Sequence, residues 1–195
     1  MKNIFTHYQK GAVTLTKHKT KVDVKILALT AMFAAVVTIA TSFIKIGDGS
    51  GYTHPGDSMV YLSACILPGP YGIIASSIGG FFADLLAGYP QWALITAVIK
   101  ALNALPFVIC RYFLKKLGKD DKIINLPILL MLIPTTLITV FGYFLGNILL
   151  ISWEYAVAGL LTWYIQPGVG AILFVALGIA FDAIDFKQKV ITKSY

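Results

Sequence analysis

A lysine stands in the middle of a long apolar segment, WALITAVIKALNALPF, where Thr96 and Asn103 are the polar residues within about one helical turn of Lys100. An ammonium group facing lipid is costly, so Lys100 is expected to face a polar cavity or a partner inside a helix bundle. Asn103 shares its face at i+3. Asp84 closes the preceding apolar segment, and Gly88-Tyr89-Pro90-Gln91-Trp92 forms a short turn that returns the two segments as neighbouring helices. Asp84 and Lys100 are therefore expected to pair with each other or to meet one ligand. The first reading makes a buried ion pair that fixes helix register, and the second makes a binding site. Asn147, Glu154 and Gln166 fall on the same side. With Asp57 they suggest a polar pocket walled by Tyr52, Tyr89, Trp92, Trp153 and Trp163. The aromatic residues also suit a membrane interface, where such rings form belts.

The elements that must position these groups are membrane helices. Hydrophobic residues make up 57% of the 195-residue chain and charged residues 13%, a composition rare among soluble domains. The expected fold is an all-α integral membrane protein, a six-transmembrane-helix bundle, with spans at 25–46, 58–67, 70–87, 92–117, 126–150 and 163–184. Residues 1–24 and 187–195 are then cytoplasmic segments flanking a membrane domain at 25–186. Lysines precede the first span. Arg111, Lys115, Lys116, Lys119 and Lys122 lie between the fourth and fifth, and Lys187, Lys189 and Lys193 follow the sixth. An even number of spans puts all three clusters on one side, so both termini are expected in the cytoplasm. The net charge of +7 is then topogenic, with no need of a nucleic-acid partner. Asp182 and Asp185 read as solvated helix-end charges.

The second span is short, ~16 Å of helix against a ~30 Å hydrocarbon core. Before it, GSGYTHPGDS carries Tyr52, His54 and Asp57 and suits a lid-like loop, since irregular backbone at membrane depth must be buried or line a cavity. The third span has two ladders of small side chains at four-residue spacing, Gly72, Ser76, Gly80 and Asp84 beside Ala75, Gly79, Ala83 and Ala87. They offer a flat seam for close packing. Ala31 and Ala35 form a shorter small-xxx-small pair in the first span. Cys65 and Cys110 are isolated, so neither a disulfide framework nor a metal site is expected.

No GxxxxGK[ST] phosphate loop occurs, and no HExxH or GxSxG, so neither an ATPase nor a hydrolase is indicated, and no cofactor is expected. A stand-alone secondary transporter is the main alternative, though the two halves show no paired repeat with matched broken helices.

In order along the chain, GYTHPGDSMVYLSACILPGPYG and GGFFADLLAGYPQWALITAVIKAL resemble the substrate-binding S component of energy-coupling factor vitamin transporters, in the riboflavin, hydroxymethylpyrimidine and pyridoxine-like branch. The turn Leu67-Pro68-Gly69-Pro70 carries one proline more than the usual pattern. The resemblance implies a bundle in a bacterial cytoplasmic membrane that captures a vitamin from outside. It also implies docking through Ala31 and Ala35 onto a transmembrane coupling subunit driven by two ATPase subunits. The expected substrate-binding residues are Tyr52, His54, Asp57, Asp84, Tyr89, Trp92, Lys100, Asn103, Asn147 and Gln166. Aromatic walls, one cation and a few amides suit a small flat heterocycle. Pyridoxine and hydroxymethylpyrimidine come first, with riboflavin and pantothenate as further candidates.

Overall fold

The computed structural model describes residues 23–44, 54–160 and 163–191. Among them the regular structure is α-helical: α1 Val24–Ser42, α2 Gly56–Ile66, α3 Tyr71–Ala87, α4 Ala93–Lys116, α5 Leu126–Leu130, α6 Leu132–Leu150, α7 Trp153–Gly159, α8 Ile165–Ala183 and α9 Phe186–Ile191. Four stretches of the described residues are long and apolar enough to cross a membrane: α1, α4, α5 with α6, and α8; α3 is apolar but shorter. Leu94, Leu149 and Ile172 on their outer faces are 72%, 77% and 72% exposed, as expected of helices whose solvent is hydrocarbon.

The short second segment is the centre of the bundle. All of α2 but Met59 is buried, and α1, α3, α4 and α8 pack around it. A helix sheathed by protein need not match the bilayer thickness, because its exposed ends meet protein and not lipid. Small residues let its neighbours approach. A Cβ on Gly72 of α3 would lie 2.6 Å from the Ala64 backbone, and one on Gly170 of α8 would lie 2.8 Å from Asp57 Cβ. Both ladders of α3 are buried as expected, apart from Ala87 at its end. One faces α2 and α4, with Ser76 Oγ 3.0 Å from Ser63 Oγ. The other faces α1, where Thr38 Oγ1 donates to the Gly79 carbonyl at 3.1 Å. Without a hydrophobic force between helices in lipid, such close contacts and hydrogen bonds carry the association.

Successive contacts fix the helix directions. Asp57 lies by Gln166 and Gly170, and Tyr61 lies by Phe107 and Phe174, so α2, α4 and α8 run the same way. Gly142 meets Ile99 and Gly146 meets Trp92, so α6 runs against α4. Gly88, at φ 87°, closes α3 in the left-handed conformation that glycine tolerates, and the Tyr89 N–H caps the Asp84 carbonyl at 2.8 Å. The fifth expected span, Leu126–Leu150, is one apolar stretch in which α5 and α6 meet at Met131, whose backbone keeps helical angles.

Two charged groups differ from expectation. Asp182 is half-buried, and its carboxylate accepts from the Ile123 and Ile124 N–H groups at 2.7 and 2.8 Å. It ties the α4–α5 connection to α8, which a solvated helix-end charge would not do. Lys187 is buried within α9, a helix where a tail was expected.

Candidate functional site

Lys100 is fully buried on α4, on the face that also carries Thr96 and Asn103. Its ammonium forms an ion pair with the carboxylate of Asp57, itself fully buried in the first turn of α2. This corrects the expected pairing with Asp84. Asp84 is buried in the last turn of α3, but the ion pair of Lys100 is with Asp57. The reason is steric. The Lys100 stem crosses α3 at Gly80, where an added Cβ would lie 2.7 Å from Lys100 Cγ, and the long side chain runs on to the central helix.

The second carboxylate oxygen of Asp57 accepts from Gln166 Nε2 at 3.0 Å. Gln166 sits in the first turn of α8, so one carboxylate joins α2, α4 and α8. Burying this charge is tolerable because both its oxygens are engaged by donors, one of them cationic. His54 is buried just before α2, its Nδ1 accepting from the Gly56 N–H at 3.2 Å. Gly56 is the residue that fits there, since a Cβ would lie 1.9 Å from Thr41 Oγ1.

A polar ladder on α6 completes this end of the bundle. The Lys100 ammonium lies 5.8 Å from the Tyr143 ring centroid, within cation–π range. The Tyr143 hydroxyl is 3.5 Å from Thr96 Oγ1, and its ring is 6.0 Å from that of Trp92. Asn103 is turned to α6: its Nδ2 donates to Thr139 Oγ1 at 2.9 Å, and Thr135 Oγ1 is 3.4 Å from the Asn103 carbonyl. Asn103 Oδ1 and the Tyr61 hydroxyl are buried with no hydrogen-bond partner among the described residues.

The structure thus brings together Asp57, Lys100 and Gln166, with Asp84, His54, Trp92 and Asn103 around them. Asn147 is spent locally, donating to the Tyr143 carbonyl at 2.7 Å. Tyr89 is half-buried in the α3–α4 turn, and Glu154 is exposed on α7. Tyr52 lies outside the described residues. Thr135, Thr139 and Tyr143 went unsingled in the sequence, although with Asn147 they repeat every four residues and so mark one helix face. Tyr61, stacked on Phe107 at 5.1 Å, carried no signal beyond its aromatic type.

Ala31 and Ala35 are exposed on the far side of α1. With Leu27, Ile74, Ile78 and Phe82 they line an apolar groove of about 570 Å³ between α1 and α3.

Residues 21–183 match the family model described as ECF-type riboflavin transporter, S component. A protein of Pyrococcus woesei, described as an uncharacterized protein in gap 3'region, is 39% identical over 66 residues, 33% of this chain and 44% of that relative. The chain thus spans under half the length of that curated relative.

Proposed function

The chain belongs to the family of ECF-type riboflavin transporter S components, and from that premise we propose that it captures a flat heterocyclic vitamin, riboflavin before pyridoxine or hydroxymethylpyrimidine. The observation that carries this reading is the Lys100–Asp57–Gln166 cluster, which sits where α2, α4 and α8 meet. A ligand entering there finds the ring of Trp92 for stacking, while the Asn103 amide oxygen and the Tyr61 hydroxyl lie about one turn deeper on α4 and α2, beneath the pair. The ion pair holds the floor, because each of its charges is already compensated. Gln166 belongs to the floor with the carboxylate it bonds, His54 lies buried beside it, and Tyr89 and Asn147 stand at the rim; Tyr52 stays a binding residue expected from the sequence alone.

The proposal extends to topology and partners. Six passes with both termini in the cytoplasm follow from the basic clusters and accord with the alternating directions of α3, α4, α6 and α8. The bilayer is that of a bacterial cell. The exposed groove at Ala31 and Ala35 is the surface for a transmembrane coupling subunit, which two ATPase subunits would drive.

Flavin fluorescence tests the ligand. Titrating purified protein into riboflavin should quench its emission with saturation, and excess pyridoxine or hydroxymethylpyrimidine should leave the quenching unchanged. Displacement by either would move the assignment to that vitamin, and no quenching would remove riboflavin.

A further inference from the structure

The opposite end of the bundle holds a second charged cluster that the ligand site does not use. Arg111, near the end of α4, clasps Asp120 through Nε and Nη2, each at 3.0 Å. Its Nη1 donates to the carbonyls of Ala64 and Leu67 at 2.9 and 2.7 Å. These carbonyls belong to the C-terminal turn of α2, where helix acceptors lack intrahelical donors, so Arg111 caps the central helix. Lys187 Nζ reaches the same Asp120 carboxylate from α9 at 2.7 Å.

α9 is held as a strap. Phe186 stacks on Phe181 of α8 at 4.7 Å, Ile191 packs against the core, and Lys187 between them is buried. One carboxylate therefore serves two cations. Burial and the neighbouring Arg111 both pull Lys187 below the ordinary lysine value, and Asp120 opposes them. Cys65, fully buried in α2, lies in the same turn, between the Ala64 and Leu67 carbonyls that Arg111 holds. Through Asp120 and Arg111 the strap is thus tied to the end of the central helix.

We propose that α9 is a releasable strap at the end of α2, latched by Asp120 through Lys187, and that its release opens this end of the bundle while the Lys100 end stays closed. Losing Asp120 leaves Arg111 and Lys187 as adjacent like charges, which drives α9 away. Losing Lys187 cuts the tie of α9 alone and spares the clasp between Arg111 and Asp120.

Cys65 reports the opening. In full-length protein carrying Cys110→Ser, in lipid nanodiscs, alkylation of Cys65 by N-ethylmaleimide is followed by mass spectrometry. Lys187→Met and Asp120→Asn should each speed the reaction about tenfold or more, equivalent to a local opening easier by about 1.4 kcal/mol. Lys187→Arg should restore the slow rate. An Ala93→Cys reporter at the far end of α4, placed in a Cys65→Ser background, should stay slow in all variants. Unchanged Cys65 rates overturn the strap, as does equal acceleration at both reporters, which is global loosening. If Asp120→Asn fails to fold, Lys187→Met with its Arg rescue decides alone.

Discussion

Lys100 and Asp57, 43 residues apart in the chain, meet as an ion pair with both side chains fully buried. A pair of this kind is poor evidence for net stability, because desolvation offsets much of the attraction. Removing one member is another matter, since it strands the other charge. The pair therefore specifies which helices touch, and it makes its two residues separable by experiment.

Lys100→Met leaves Asp57 with Gln166 as its remaining hydrogen-bond donor among the described residues, and Asp57→Asn leaves the ammonium without its paired carboxylate. Each should lower unfolding stability by about 3–5 kcal/mol. The double variant should regain most of that loss. Thermal melts of the three proteins with flavin titrations alongside separate stability from binding. A recovered Tm with near-native affinity assigns the pair to the floor, whereas lost affinity in a stable double variant assigns the pair to the ligand.

Gly80→Ala places a methyl group 2.7 Å from Lys100 Cγ, and the lysine stem must shift. The expected cost is about 1–3 kcal/mol, as for other small-to-large changes in packed cores. Gly69→Ala, with nothing within 4 Å of its Cβ, meets only the strain of φ +52° and should leave the ligand affinity unchanged. Equal stabilities for the Gly80 variant and the parent would remove Gly80 as the groove for Lys100.

Ala31→Leu with Ala35→Leu fills the exposed groove on α1. Complex formation with the coupling subunit should be lost in a pull-down while the isolated protein binds its vitamin normally, because the change is steric and remote from Lys100. Retained assembly would reject this surface as the docking seam.

Lys119→Cys and Glu154→Cys lie in the α4–α5 connection and in α7. In intact cells of a Cys110→Ser strain, a membrane-impermeant maleimide should label position 154 and spare position 119. The reverse pattern would invert the orientation and place the ligand site on the cytoplasmic side.

The residue sequence by itself determined the class of protein, the faces of its helices and the burial of Lys100. Those are local properties: apolar length marks a span, and a four-residue period marks which side of a helix is small, as in the ladders of α3. The Thr135, Thr139, Tyr143 and Asn147 ladder was legible by the same rule. Only the tertiary structure decided what each face meets. Asp84 is the acid nearest Lys100 in sequence, yet Asp57 pairs with it because α2 occupies the centre and Gly80 lets the lysine stem pass. Lys187 read as a tail charge until α9 brought it to Asp120, the carboxylate that Arg111 also holds. Periodicity fixes direction around one helix axis, whereas a partner depends on which helix lies across the gap, and that is set by close backbone contacts distant in sequence.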